Sequence, residues 1–377
     1  MRLLFLSFIP IIRYIGGMQK VTDGLIVELK KRGYEPSVLY YEKRNIPSDY
    51  VFSCPNLYLK TVNRSWDEIL KEWGNVLETI KPDVIISLNH NEKALRFLKN
   101  TPDSIKRVTF NHLQPFPGLE YTRQTSKVMR PIQLKQRVLK WTGVMFPYLL
   151  TKYYVRHERN LISQIIACSD MYGVLTDGYK DRIARFYPEV PKEKLFSIPN
   201  PNPFWDDEYQ VAPKENVLLF LGRLSNMPKN LISFARVWKY LEKKNPEWKA
   251  LVVGKGSALQ SVKNYCEQQQ LKNIFFEGRH QDVASYYRRA KIVCVTSFFE
   301  SWNMSIIEGM NYGCVPVAYH SYEATKELIK DHVNGLLVTP FDEKEMADKI
   351  QELIDNNQLM STLSVNSIMK SKEYSLP

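Results

Sequence analysis

Phe298-Phe299-Glu300-Ser301-Trp302-Asn303-Met304-Ser305-Ile306-Ile307-Glu308-Gly309-Met310 is the stretch around which this chain is organised. An apolar run, Ile292-Val293-Cys294-Val295-Thr296, leads into it. The turn Asn311-Tyr312-Gly313 leads out to a second apolar run, Val315-Pro316-Val317-Ala318. Strand, loop, helix and strand make one α/β unit. The loop lies at the carboxyl end of a strand, where open α/β sheets hold their ligands. Asn303 or Ser305 can cap the helix, so that its N–H groups face that crevice. If the intervening residues are helical, Glu300 and Glu308 stand about 12 Å apart along the axis. That is too far for two carboxylates sharing a proton. It suits a grip on both ends of an extended ligand whose negative middle lies over the helix N-terminus. A nucleotide sugar, with ribose hydroxyls, diphosphate and sugar hydroxyls, has that shape. By itself the spacing is equally that of two solvated glutamates.

Other phrases narrow the choice. Phe220-Leu221-Gly222-Arg223-Leu224 is followed by Pro228-Lys229-Asn230, and Gly309-Met310 by Gly313-Cys314-Val315-Pro316-Val317. Asn334-Gly335-Leu336-Leu337-Val338 comes later. In this order, with Glu300 to Glu308 matching an E-x-x-x-x-x-x-x-E motif, the chain resembles the family 4 glycosyltransferases of the GT-B fold. The resemblance runs over nearly the whole chain and is most specific in its C-terminal half. It implies two Rossmann-like α/β domains facing each other across a cleft.

A length of 377 residues accommodates two domains, and 44% hydrophobic with 24% charged residues is ordinary for a globular protein. We expect an N-terminal, acceptor-side domain over 1–203, a linker over 204–214 signalled by the proline- and polar-dense stretch 199–207, and a nucleotide-sugar-binding domain over 215–377. No run of 18 or more apolar residues exists, so no spanning helix is expected. Leu3 to Ile12 reads as a buried first strand rather than a signal core, because no small-residue cleavage site follows. Cys54, Cys168, Cys266, Cys294 and Cys314 show no metal or redox spacing, which fits a reducing, cytoplasmic setting.

The net charge of +12 raises the question of an anionic partner. Much of it falls in 113–160, where Arg123, Lys127, Arg130, Lys135, Arg137, Lys140, Lys152, Arg156 and Arg159 face only Glu120 and Glu158. Trp141, Phe146, Tyr148, Tyr153 and Tyr154 lie among them. A basic, aromatic helical region of this kind suits peripheral contact with an anionic membrane, at its inner face, or with a lipid-linked acceptor. No recognition motif accompanies the charge, so nucleic acid is not expected.

In the N-terminal half, Gly16-Gly17 opens a helix to about Lys31 after the first strand, a phosphate-binding arrangement. Ser37–Tyr41, Asp83–Ser87, Arg107–Phe110, Gln164–Ser169 and Lys194–Ile198 read as further strands. His112 stands just past one of them. The resemblance places Gly16 and Gly17 over the donor diphosphate or the acceptor, and His112 beside the donor sugar.

In the C-terminal half, Arg offers phosphate a planar fork and Lys a compact charge. The resemblance gives Arg223 and Lys229, around the Gly222 turn, the departing diphosphate. It gives Glu308 the ribose hydroxyls, Glu300 a sugar hydroxyl, and the backbone near Gly278 and Arg279 the nucleobase. Ser301, Trp302, Asn303, Met304 and Ser305 complete the donor loop. Here the chain departs from the family's Gly-Phe-Gly, so a reshaped sugar pocket is expected. At Asn200-Pro201 it departs from Asn-Gly, and the closing C-terminal helix reads as shortened or absent. No Asp-x-Asp occurs, so no metal or other cofactor is expected. The expected activity is retaining transfer of a sugar from a UDP- or GDP-sugar to a hydroxyl of a glycan or lipid-linked acceptor in cell-surface polymer assembly. The alternatives are a non-catalytic nucleotide-sugar- or lipid-binding module of the same fold, and an epimerase or hydrolase of nucleotide sugars.

Overall fold

A computed structural model describes residues 1–13, 16–42, 46, 50–61, 63–112, 147–204 and 213–376. Among them the chain divides into two compact units, with the break between Asn200 and Pro201. Pro201 onward joins the second unit because Asn202 is tied into it. Its N–H donates to Tyr374 O at 2.8 Å, and its Nδ2 to Asn311 Oδ1 at 2.6 Å. Most of the expected 204–214 linker lies outside the described residues, as does most of the basic region 113–160.

The first unit holds strands β1 (Arg2–Ser7), β2 (Glu35–Tyr40), β3 (Asn56–Tyr58), β4 (Val84–Ser87), β5 (Lys106–Phe110), β6 (Met171–Val174) and β7 (Leu195–Ser197). They form one parallel sheet in the order β3-β2-β1-β4-β5-β6-β7. Helix α1 (Gly17–Lys31) follows β1, and its Val21 and Ile26 are buried, with Leu25 and Leu29 packed on Leu3, Phe5 and Val38. Helix α2 (Trp66–Ile80) opens on a capping box in which Ser65 and Glu68 satisfy each other's backbone N–H. Helices α3 (Glu92–Lys99), α4 (Pro147–Cys168) and α5 (Asp177–Phe186) complete the described layers.

Two expectations need correction here. The first strand stops at Ser7, three residues before Pro10, whose ring nitrogen has no proton for a ladder. Gln164–Ser169 is not a strand. Its residues end α4, and Ile162, Ile165, Ile166 and Ser169 are buried at helical spacing. Two adjacent isoleucines had suggested a strand, but the stripe begins three residues earlier.

The second unit is a parallel sheet of β8 (Glu215–Leu221), β9 (Lys249–Val253), β10 (Ile274–Gly278), β11 (Ala290–Val295), β12 (Val315–Tyr319) and β13 (Leu336–Val338), ordered β10-β9-β8-β11-β12-β13. Its helices are α6 (Leu231–Leu241), α7 (Leu259–Gln268), α8 (Ala284–Arg289), α9 (Met304–Asn311), α10 (Glu323–Leu328), α11 (Glu343–Asp355) and α12 (Asn357–Lys372). Strand residues alternate between two cores. Leu218, Phe220, Ala250, Val252, Ile292 and Cys294 enter one, while Val217, Leu219, Leu251, Val253 and Val293 enter the other. Burial on both faces is why these strands read as unbroken apolar runs.

Strand order positions the site. β8 and β11 are neighbours in register, Ile292 beside Leu218 and Val293 beside Leu219. The sheet grows outward from this pair in opposite directions. At such a switch point the following helices leave for opposite faces, and a crevice opens past the carboxyl ends. Gly222 follows β8, and the Glu300 loop follows β11.

Candidate functional site

The loop after β8 is shaped by close backbone approach. Gly222 has φ +155° and Gly254 φ +143°. A Cβ on Gly254 would run into the Gly222 carbonyl, so the turns after β8 and β9 touch only because position 254 is glycine. Lys229 lies across this turn, its Cε 3.5 Å from where a Gly222 Cβ would stand. Arg223 is exposed.

Three ties join this loop to the one after β11. Phe298 N–H donates to Pro228 O at 2.8 Å. Thr296 Oγ1, fully buried, lies 3.2 Å from Lys229 O and 3.0 Å from Asn230 O. Lys229 Nζ lies 2.6 Å from Glu300 Oε1, and Ser297 Oγ donates to the same oxygen at 2.9 Å. Asn230, the N-cap of α6, sits in the left-handed region at φ 53° and ψ 49°, where a short polar side chain is tolerated. The expected diphosphate cation and sugar carboxylate are therefore brought together from loops some seventy residues apart in sequence, Lys229 and Glu300.

The helical spacing assumed for the two glutamates does not hold. Asn303 caps α9, its Oδ1 accepting from Ser305 N–H at 3.1 Å and Ser305 Oγ at 2.6 Å, so the helix starts at Met304. Glu300 precedes it in a loop. Glu308 is on it, buried, and its Oε2 accepts from the Tyr287 hydroxyl at 2.9 Å. The two carboxylates thus have different settings, one at the crevice in an ion pair and one held by a phenol.

The loop Ser301–Ser305 is more structural than its sequence suggested. Trp302 is buried with its ring edge-on to Tyr374 at 5.4 Å, and its Nε1 lacks a hydrogen-bond partner among the described residues. Asn303 Nδ2 donates to the Tyr322 hydroxyl at 3.1 Å. Bulk at Trp302 fills the protein, and Asn303 and Ser305 finish the helix end. Ser301 and Met304 are half-buried. Gly278, at φ +79°, ends β10 and exposed Arg279 follows it, two strands from β8.

In the first unit, Gly16 is the extended N-cap of α1 at φ −174° and Gly17 its first residue, so neither position demands glycine for its backbone angles. His112, half-buried past β5, stacks edge-on against Phe110 at 4.7 Å, and its Nδ1 has no hydrogen-bond partner among the described residues. Burial pushes its pKa down to about 4, against an opposing hydrogen bond to the Asn200 side chain. His90 was not singled out from the sequence. It follows β4, stands edge-on to Tyr172 at 5.5 Å, and burial aided by the charge of His112 pushes it down to about 3. Both imidazoles are neutral at pH 7. Among the described residues, no three of His, Cys, Asp or Glu stand together as a metal site, and no helix is long and apolar enough to cross a membrane.

Two parallel sheets of Rossmann type give this chain the fold of the GT-B glycosyltransferases. Residues 202–368 match the family model of glycosyl transferases group 1. An uncharacterized glycosyltransferase of Haemophilus influenzae is 23% identical over 98% of this chain and 95% of its own length. An undecaprenol-linked-glycan α-1,4-N-acetyl-D-galactosaminyltransferase of Campylobacter jejuni is 30% identical over 43% of this chain, which spans 45% of that relative. Among solved structures, TarM of S. aureus, in complex with fondaparinux, α-GlcNAc-glycerol and UDP, aligns with TM-score 0.71 at 14% identity. That match covers 99% of this chain and 97% of that one.

Proposed function

We propose that this enzyme moves a sugar from a UDP- or GDP-sugar to a hydroxyl of a glycan or lipid-linked acceptor in cell-surface polysaccharide or glycoconjugate assembly, with retention at the anomeric carbon and without a metal. The observation that carries the reading is the Lys229–Glu300 pair beside the glycine turn at Gly222, at the carboxyl ends of β8 and β11. The acceptor named for the Campylobacter relative and the UDP bound to TarM support the substrate classes.

In this reading Arg223 and Lys229 face the diphosphate and stabilise the negative charge that grows on it as the glycosidic bond breaks. Glu300 takes a hydroxyl of the sugar and Glu308 the ribose. His112 stays neutral, and acts as a hydrogen-bonding group on the sugar rather than as an acid. The bond from the anomeric carbon to the diphosphate oxygen breaks, and the bond to the acceptor oxygen forms on the same face. The acceptor proton passes to the departing phosphate oxygen. Region 113–160, with nine cations against two glutamates, is the proposed contact with the membrane's inner face.

Donor turnover with purified protein tests this. Transfer to a lipid-linked glycan acceptor, with donor consumption that depends on the acceptor and persists in EDTA, is the expected result. Donor consumed at the same rate without acceptor would make the enzyme a hydrolase or epimerase.

A further inference from the structure

Glu308 and the α8–β11 corner meet at one side chain. Tyr287, in α8, is wholly buried, and its hydroxyl donates to Glu308 Oε2 at 2.9 Å. Its ring stacks nearly parallel on Tyr312, 6.2 Å between centroids and 7° between planes. Its carbonyl is held as firmly. Lys214 Nζ donates to Tyr287 O at 2.8 Å and to Ala290 O at 2.7 Å, and Cys314 Sγ donates to the same two oxygens at 3.1 and 3.2 Å. A largely buried ammonium thus satisfies carbonyls at the C-terminal end of α8, where the helix dipole favours a cation. Hydroxyl, ring and backbone of Tyr287 are all fixed, which leaves its phenol one direction in which to point.

We infer that Tyr287 is a positioning residue for the donor nucleotide: its phenol fixes the Glu308 carboxylate in the rotamer that receives the ribose hydroxyls. The inference rests on the proposed role of Glu308. Burial, with the charge of Glu308 adding to it, holds the phenol pKa well above its ordinary value, so Tyr287 remains a proton donor throughout the working range. Without that donor the carboxylate loses a hydrogen bond that fixes its orientation, and its hold on the ribose loosens.

The test compares the tighter binder of UDP and GDP with its 2′,3′-dideoxy counterpart, by calorimetry, on three proteins. These are the wild type, Tyr287→Phe, and the protein with para-aminophenylalanine at position 287, which keeps a donor in the same place. Phenylalanine keeps the ring on Tyr312 and the backbone ties to Lys214 and Cys314. The wild type is expected to prefer the ribonucleotide by about tenfold or more, the scale of a hydrogen bond to a charged group. Tyr287→Phe is expected to lose most of that preference, and the aminophenylalanine protein to regain it. Wild-type preference unchanged in Tyr287→Phe would overturn the positioning role alone. So would an aminophenylalanine protein as indifferent to the ribose hydroxyls as the phenylalanine one. A wild type that binds neither nucleotide, or both sugars equally, overturns the role of Glu308 and this inference with it.

Discussion

Lys229 Nζ and Glu300 Oε1 stand 2.6 Å apart, joining the loop after β8 to the loop after β11. Both side chains are mostly shielded, with 17% and 14% exposed. Glu300→Gln keeps the shape and removes the charge. Turnover is expected to fall by about a hundredfold or more, as when one transition-state contact is lost. The amide oxygen can still accept from Lys229 Nζ and Ser297 Oγ, so the loss of stability should stay within about 1–3 kcal/mol and the variant should remain folded. Single-turnover kinetics with a melting curve on the same sample checks both. An unfolded variant, or one of full activity, would contradict the assignment.

Thr296 acts through the backbone. Its hydroxyl serves the carbonyls of Lys229 and Asn230, and Thr296→Val leaves them without it. Loss of a buried hydrogen-bond partner costs about 1–3 kcal/mol. Because Asn230 holds a left-handed conformation next to Lys229, the variant is also expected to bind nucleoside diphosphate about tenfold more weakly. Denaturant unfolding and calorimetry measure the two effects separately.

Gly254→Ala puts a Cβ against the Gly222 carbonyl at φ +143°. Steric and backbone strain together should destabilise the second unit by about 3 kcal/mol or more. Gly16→Ala makes the contrast. Its backbone is extended, and only the Gln19 side chain at 3.0 Å must yield, so stability should change by under about 1 kcal/mol. Chemical denaturation of the two variants side by side gives the comparison.

His90 and His112 set a pH dependence. Their folded pKa values, about 3 and about 4, lie below the ordinary histidine value, so the unfolded chain takes up these protons first. The stability they contribute is complete above about pH 6.5 and falls as pH drops towards 4, by at most about 1.4 kcal/mol per pH unit for each. Melting curves between pH 7 and pH 5, where few carboxylates titrate, should show this slope in the wild type. The slope should flatten in His90→Asn/His112→Asn, and an equal slope in both proteins would contradict the burial of the imidazoles.

The sequence carries the second unit well, and for a physical reason. Its strands are buried on both faces and read as apolar runs, and the glycines at 222, 254 and 313 mark turns with positive φ. Arg223, Lys229 and Glu300 could be placed past strand ends, and Glu308 on the helix that follows, from the linear chain, while the roles expected of them came from the resemblance. Their partners were not legible there. Tyr287, on α8, and Thr296 and Ser297, just past β11, act through contacts set by how the elements pack, and nothing in the linear chain marks them. Asn303 caps α9, as its sequence position allowed, while the burial of Trp302 against Tyr374 left no mark in the linear chain. The Ile165-Ile166 pair suggested a strand because β-branched neighbours do. The buried stripe that makes it a helix needed the residues three positions upstream.

The most direct measurement is nucleotide binding to the wild type and to Lys229→Ala, with and without EDTA, followed by thermal shift with UDP and GDP. A ligand at 100 times its dissociation constant stabilises a protein by about 2.7 kcal/mol, a visible shift. One nucleotide should raise the wild-type melting temperature, EDTA should leave the shift intact, and Lys229→Ala should abolish most of it. No shift with either nucleotide, or an equal shift in Lys229→Ala, would contradict a donor diphosphate held at the ends of β8 and β11.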